Sequence, residues 1–326
     1  MKELLLTNYS IHVNEHVRVC GREGFRDHDY LYFIISSANK ETIHLEQAAL
    51  SYYLAENGFK HTALPIPTVD NSWFVDHGNN RYIVLRVEEL QDSSRESHGT
   101  LLANFHETTA AYTYEPKEIS SYGLWKDLWI KKLTAFENKL NHESTANSSN
   151  YYRRLVDVFP YIIGISENAI QYMQESETDK RYHYGDQGVF CFRRYKNHVN
   201  ESVIWTDDLV YDHPTRDLAE YIRWKLLEED EYAMKEVVSF MTDYQAVRPL
   251  SIFSWRLLYA RLIYPIHIFD LMEDCFKGGS DDHNTAELNR LIKKQVVYEK
   301  RLANLYDLMH VPYKSYDVPV LEWLSK

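Results

Sequence analysis

The chain has 326 residues, 44% of them hydrophobic and 26% charged, enough for one large domain or two and ordinary for a globular protein rather than a disordered one. Lys plus Arg number 36 against 48 Asp plus Glu, a formal net charge of −12, which argues against a general nucleic-acid binder because such proteins need a basic footprint. Cys20, Cys191 and Cys275 are too few and too scattered for a disulfide framework, and no CxxC zinc pattern occurs. Met1-Lys2-Glu3-Leu4 opens no apolar leader, and no run approaches the roughly 18 apolar residues of a membrane span. The expectation is cytosolic synthesis without leader or spanning anchor. Only 11 residues are Gly, about half the usual frequency, so few places remain where backbone can close around phosphate.

The first hundred residues read as mixed α/β. Tyr9–Val19 carries short alternating stretches, and Asp29–Ile35 is aromatic and β-branched, the composition of a strand. Glu41–Asn57 repeats apolar residues at helical spacing, and Gly58 supplies a stop. Ser72–Val75 and Arg81–Val87 flank a Gly/Asn turn and predict a hairpin. Glu88–His98 is a polar connector. Helices are predicted over Gly99–Tyr112, Tyr122–Leu140 and 151–175, the last bent near Pro160, with a polar loop at Asn141–Asn150. Gly188–Phe192 and Ser202–Trp205 read as a small embedded hairpin. Helices resume at about 215–228, 231–246, 250–263, 266–277 and 284–309. A small mixed lobe (1–90), a polar hinge and a large helical lobe (91–326) with one hairpin is an α+β, protein-kinase-like, two-lobed architecture. The cleft between lobes is then the expected ligand site.

The run Val203-Ile204-Trp205-Thr206-Asp207-Asp208-Leu209-Val210-Tyr211-Asp212-His213-Pro214-Thr215-Arg216-Asp217-Leu218-Ala219 resembles the spore-coat branch of the aminoglycoside phosphotransferase/choline-kinase-like proteins, the CotS group. Ala103-Asn104-Phe105-His106 and the segment Glu46 to Phe59 add weaker support. Resemblance to this group implies the kinase-like fold, synthesis in the mother cell followed by deposition in the spore coat, and other coat proteins as partners.

Phosphoryl transfer is mainly positioning and charge neutralisation. It needs a cation on the nucleotide phosphates, oxygen ligands for magnesium and a base near the acceptor hydroxyl. The resemblance makes Asp186 the base candidate, in Tyr182-His183-Tyr184-Gly185-Asp186-Gln187; as a residue it is equally a turn or cap carboxylate. The family's magnesium-binding Asn stands five residues later, where this chain has Cys191, a poor ligand for a hard cation. The main metal Asp should end the second hairpin strand nine residues before the Pro, where this chain has Trp205, whose indole offers magnesium no lone pair. A two-residue shift would place Asp207 there. Asp207 and Asp208 are therefore metal or cofactor candidates, or else a solvated acidic turn. The family's strand lysine is missing from Tyr30–Ile35, and Lys40 falls in the connector after it. Glu46 matches the helix acid that normally pairs with that lysine. Gly21 and Gly24 are weak candidates for a phosphate cover, with Arg22 and Arg26 as helpers. The resemblance implies that Asp217 braces the catalytic loop; either Thr215 or Asp217 is expected to cap the helix that follows, flanked by His213 and Arg216.

His12 and His16 stand at i, i+4 but in a stretch that reads as extended, and His98 and His106 are eight apart with no carboxylate in a zinc-site spacing, so all four read as surface or capping residues. No G-x-S-x-G nucleophile motif is present. Three functions follow. The preferred one is a degenerate kinase fold without phosphotransferase chemistry, acting in coat assembly or protein interaction, with no cofactor. The second is an active phosphotransferase using Mg-ATP, Asp186 as base and Asp207 or Asp208 for the metal. The third is a scaffold holding a small non-nucleotide ligand in the cleft.

Overall fold

A computed structural model describes residues 1–37, 40–92, 96–146, 149–176, 183–228, 230–316 and 318. The chain divides into two compact units, Met1–Ser120 with Gly188–Asp212, and Ser121–Gln187 with His213–Lys326.

The first unit opens with α1 (Lys2–Tyr9), which sequence periodicity did not announce because eight residues hold barely two turns. Then come β1 (Glu15–Val19), β2 (Arg22–Arg26), β3 (Leu31–Ser36), α2 (Glu41–Glu56), β4 (Leu64–Ile66), β5 (Val75–His77) and β6 (Asn80–Val87). The strands form an antiparallel sheet in the order β1-β2-β3-β6-β4, with β5 on β6. Alternation along a strand sends neighbours to opposite faces, so Leu31 and Phe33 of β3 join Ile83, Leu85 and Val87 of β6 on one side, with Val203 and Trp205 packed on them. Tyr32 and Val84 face the other side, against Leu4, Leu5 and Tyr9 of α1. The helix α3 (His98–Ala110) and a hairpin of β7 (Val189–Phe192) with β8 (Leu209–Asp212) also belong to this unit.

The hairpin corrects one expectation. Its return strand is Leu209–Asp212, not Ser202–Trp205. Ile204 instead forms an isolated parallel bridge with Thr62, exchanging hydrogen bonds with His61 and Ala63. The aromatic, β-branched run that reads as a strand is sheet-covering core.

The second unit is helical: α4 (Trp125–Ala146), α5 (Asn150–Glu175), α6 (Thr215–Leu227), α7 (Ala233–Val247), α8 (Ile252–Ile263), α9 (Ile266–Lys277) and α10 (Asp281–Leu308). The predicted loop at 141–150 is helical through residue 146. Helix α5 continues through Pro160. Ser149, Ser251 and Ser280 accept the hydrogen bonds that start α5, α8 and α10. No helix is long and apolar enough to cross a membrane among the described residues.

Candidate functional site

The β1–β2 turn is two residues long. Cys20 and Gly21 both take positive φ, 46° and 79°, as the hairpin turn that matches strand twist requires. Gly21 therefore serves the turn. Gly24 serves packing, since a Cβ there would lie 2.6 Å from the Phe33 ring and 2.7 Å from the Tyr32 carbonyl oxygen.

Arg22, directly after the turn, reaches the 3-10 turn at Thr206–Asp208. Its guanidinium donates to both oxygens of Asp207 at 2.9 and 2.8 Å and to Asp208 at 2.8 Å. The same group stacks over Trp205, 4.4 Å from the ring centroid. Trp205 is 4% exposed and meets Phe33 edge-on at 4.8 Å. The two carboxylates outweigh burial and keep Arg22 charged. Asp207 and Asp208 are thus the anchors of an arginine, a planar donor fork suited to carboxylates, and Trp205 fills the space against the sheet.

Other small-lobe candidates also have structural partners. Strand β3 carries no lysine. Lys40 precedes α2 and pairs with Glu118 at 3.1 Å in solvent. Glu46 accepts backbone N–H groups of Lys117, Glu118 and Ile119 at 2.8–3.2 Å, so this acid ties α2 to a loop rather than to a lysine. Cys191 is fully buried in β7 opposite Val210. Arg26 lies near Glu15 at the exposed sheet edge, 4.0 Å away.

In the second unit, Asp186 ends a 3-10 turn at Tyr184–Asp186 and is 1% exposed. Gly185 is required there because an added Cβ would meet the Pro249 carbonyl oxygen at 2.7 Å and His183 Nδ1 at 2.8 Å. His183 Nδ1 accepts the Gly185 N–H; Tyr182 of the motif lies outside the described residues. Asp186 Oδ1 accepts hydroxyls from Ser251 at 2.5 Å and Ser254 at 2.7 Å. His213 Nε2 stands 3.4 Å away. Thr215 N–H donates to His213 Nδ1 at 3.1 Å, which leaves the proton of a neutral ring on Nε2, facing the carboxylate. Burial pushes the Asp186 pKa up, but these donors prevail and hold it below the usual carboxylate range. Its Oδ2 is buried without a hydrogen-bond partner.

His213 is fully buried among Trp125, Phe253 and Tyr122. Asp217 lies buried in the first turn of α6, where a negative charge meets free N–H groups. The N-cap position itself is Pro214, so neither Thr215 nor Asp217 caps in the expected sense. Arg216 donates to Ser121 at 3.3 Å. These residues order the segment that follows β8.

One residue escaped the sequence reading. The return strand ends on Asp212, fully buried opposite Val189. The strand that pairs with β7 thus ends on an acid, seven residues beyond the position 205 that spacing pointed to. Pairing register carried that signal, and nine-residue counting from the Pro did not.

The residues that hold these turns sit in a recognisable frame. A family profile described as "Spore coat putative kinase YutH" matches residues 2–305. The endospore coat-associated protein YutH of Bacillus subtilis (strain 168) is 30% identical over 337 residues, covering 100% of this chain and 98% of the relative. Among solved structures, an aminoglycoside phosphotransferase from Alicyclobacillus acidocaldarius superposes with a TM-score of 0.65 at 15% identity, covering 95% of this chain and 96% of that one. A microcompartment-associated aminopropanol kinase gives 0.60 at 11%, covering 94% and 97%. The amicoumacin kinase hAmiN in complex with AMP-PNP, Ca2+ and Ami gives 0.58 at 13%, covering 91% and 92%. The fold is that of the aminoglycoside phosphotransferases, protein-kinase-like, with an antiparallel sheet in the N-terminal part and helices beyond it.

Proposed function

Since the chain belongs to the spore-coat kinase-like family that includes YutH, we propose that it is a coat-associated protein that keeps the kinase frame without phosphotransferase chemistry. It is made in the mother cell, enters the spore coat and acts there through protein contacts with other coat components. The observation that carries this is Arg22 closed on Asp207 and Asp208 above a buried Trp205. On this reading the two acids are spent on an arginine of this chain and not on a magnesium–nucleotide complex.

Mg-ATP does not fit the residues present. Strand β3 offers no cation to the phosphates. The Asn position holds a buried thiol in Cys191, and a hard cation wants oxygen. Losing one charge-stabilising group costs on the order of 10³–10⁵ in rate, and two are lost here. A second function, active transfer with Asp186 as base, is favoured by the partnerless Oδ2 of Asp186 and by the acid at position 212.

Fluorescent fusions of the wild type and of Asp186→Asn, followed through sporulation, separate the two. Both fusions should end at the spore periphery. Loss of periphery signal in a folded Asp186→Asn protein would show that chemistry is needed. A wild-type fusion confined to the mother-cell cytoplasm would remove the coat role.

A further inference from the structure

The solvent face of α10 carries the feature that the kinase frame does not explain. Two adjoining hollows of about 400 and 580 Å³ run along it and share Val297 and Arg301. From Arg290 to Leu308 the stripe is about 27 Å long at the helical rise. Its floor is apolar, with Leu226, Leu227 and Met234 from α6 and α7 beside Val297 and Leu308 of α10. Val297 and Leu308 are 48% and 47% exposed, large apolar groups on a long charged helix.

The rim is cationic in a chain of net charge −12. Lys293, Lys294, Lys300 and Arg301 line it, with Arg290 already paired with Glu287, against two carboxylates, Glu228 and Asp307. Glu228 is already paired with Lys225 at 3.1 Å. Arg301 is fixed by backbone carbonyls of Leu226 at 2.9 Å, Glu228 at 2.5 Å and Asp230 at 3.1 Å. Carbonyls hold a guanidinium in place without cancelling its charge. Lys293 and Lys300 are exposed and have no ion pair among the described residues.

We propose that this groove docks an acidic, amphipathic segment of another protein, its carboxylates on the α10 cations and its apolar side chains on the Val297 floor. Groove length and composition match a helix-in-groove contact, in which apolar anchors recur at helical spacing. Opposed charge at the rim would set register and speed encounter. The apolar floor and the overall negative charge disfavour a nucleic acid, which would be repelled by the rest of the chain. The groove shares no lining residue with the turns at Asp186 and Arg22, so its role holds whether or not the fold transfers phosphate.

The test uses the full chain and a fluorescein-labelled 18-residue peptide with Glu on one helical face and Leu on the other, read by anisotropy. Binding should be saturable and should weaken with salt. A Lys/Leu peptide of the same length should not compete. K293E/K300E should raise the Kd by about tenfold or more, and V297S should weaken binding less. Both changes are at exposed positions; if the reversal fails to fold by circular dichroism, K293Q/K300Q replaces it. Absence of saturation, or an unchanged Kd in the lysine variants, overturns the proposal. Equal competition by a DNA duplex or by inorganic phosphate marks a generic anion site and also overturns it. A wild-type dimer that K293E/K300E dissociates would show a second copy as the occupant and overturn the heterologous partner.

Discussion

The turns at Thr206–Asp208 and Tyr184–Asp186 are each a single 3-10 turn ending in aspartate, yet their carboxylates are neutralised by different means. In the first, a formal cation does it: Arg22 bridges Asp207 and Asp208, whose side chains remain 28% and 42% exposed. In the second, neutral donors do it: Ser251, Ser254 and His213 surround a carboxylate that is 1% exposed. An ion pair near solvent tolerates salt poorly and contributes little. A hydrogen-bonded buried carboxylate contributes more and is costly to disturb. Acids at kinase-like positions can thus be put to structural use along two routes, and their presence alone does not establish catalysis.

The largest expected effect breaks the first turn from below. Trp205→Ala removes an indole packed on Phe33 and Arg22 and should cost about 3–5 kcal/mol in urea unfolding, the usual loss for a buried aromatic. A cost below about 1 kcal/mol would mean the space collapses readily or was never filled.

Next comes the second turn. Asp186→Asn should cost about 1–3 kcal/mol at neutral pH, the range for hydrogen bonds to a charged group. The sign of its pH dependence follows from the depressed pKa. Stability supplied by the carboxylate is complete above its unfolded value near about 3.9 and is lost as pH falls through the lower folded value. The deficit of the variant should therefore persist from pH 7 to 5 and shrink below about pH 4. Unfolding measured across that window checks it; a deficit that grows in acid contradicts the hydrogen-bonding account.

The smallest effect sharpens the contrast. Arg22→Ala should cost about 1 kcal/mol at low salt, because the pair is partly exposed, and less in 1 M salt. Asp186→Asn should be indifferent to salt. Equal salt dependence in the two variants would erase the distinction between the turns.

Much of this was legible in the sequence. The periodicity of Glu41–Asn57 marked α2, and breaks at Pro249, Pro265 and Gly278-Gly279 bounded the later helices. Asp186, His213 and Asp217 were picked out by motif, but their partners were not, because Ser251 and Ser254 are more than sixty residues from Asp186. The hairpin failed for a physical reason. Val203-Ile204-Trp205 is more apolar than Leu209–Asp212, and apolar runs read as strands whether they pair or merely cover a sheet. That substitution of one run for another hid Asp212. Arg22 was noted only as an anion helper; its partners are 185 and 186 residues away.

Calorimetric titration of the full-length protein with ATP, with and without magnesium, tests the loss of phosphotransferase chemistry most directly. The expected result is no saturable heat up to about 1 mM nucleotide, a limit weaker than about −4 kcal/mol of binding. Saturable, magnesium-dependent heat that disappears in a folded Asp186→Asn variant would contradict it.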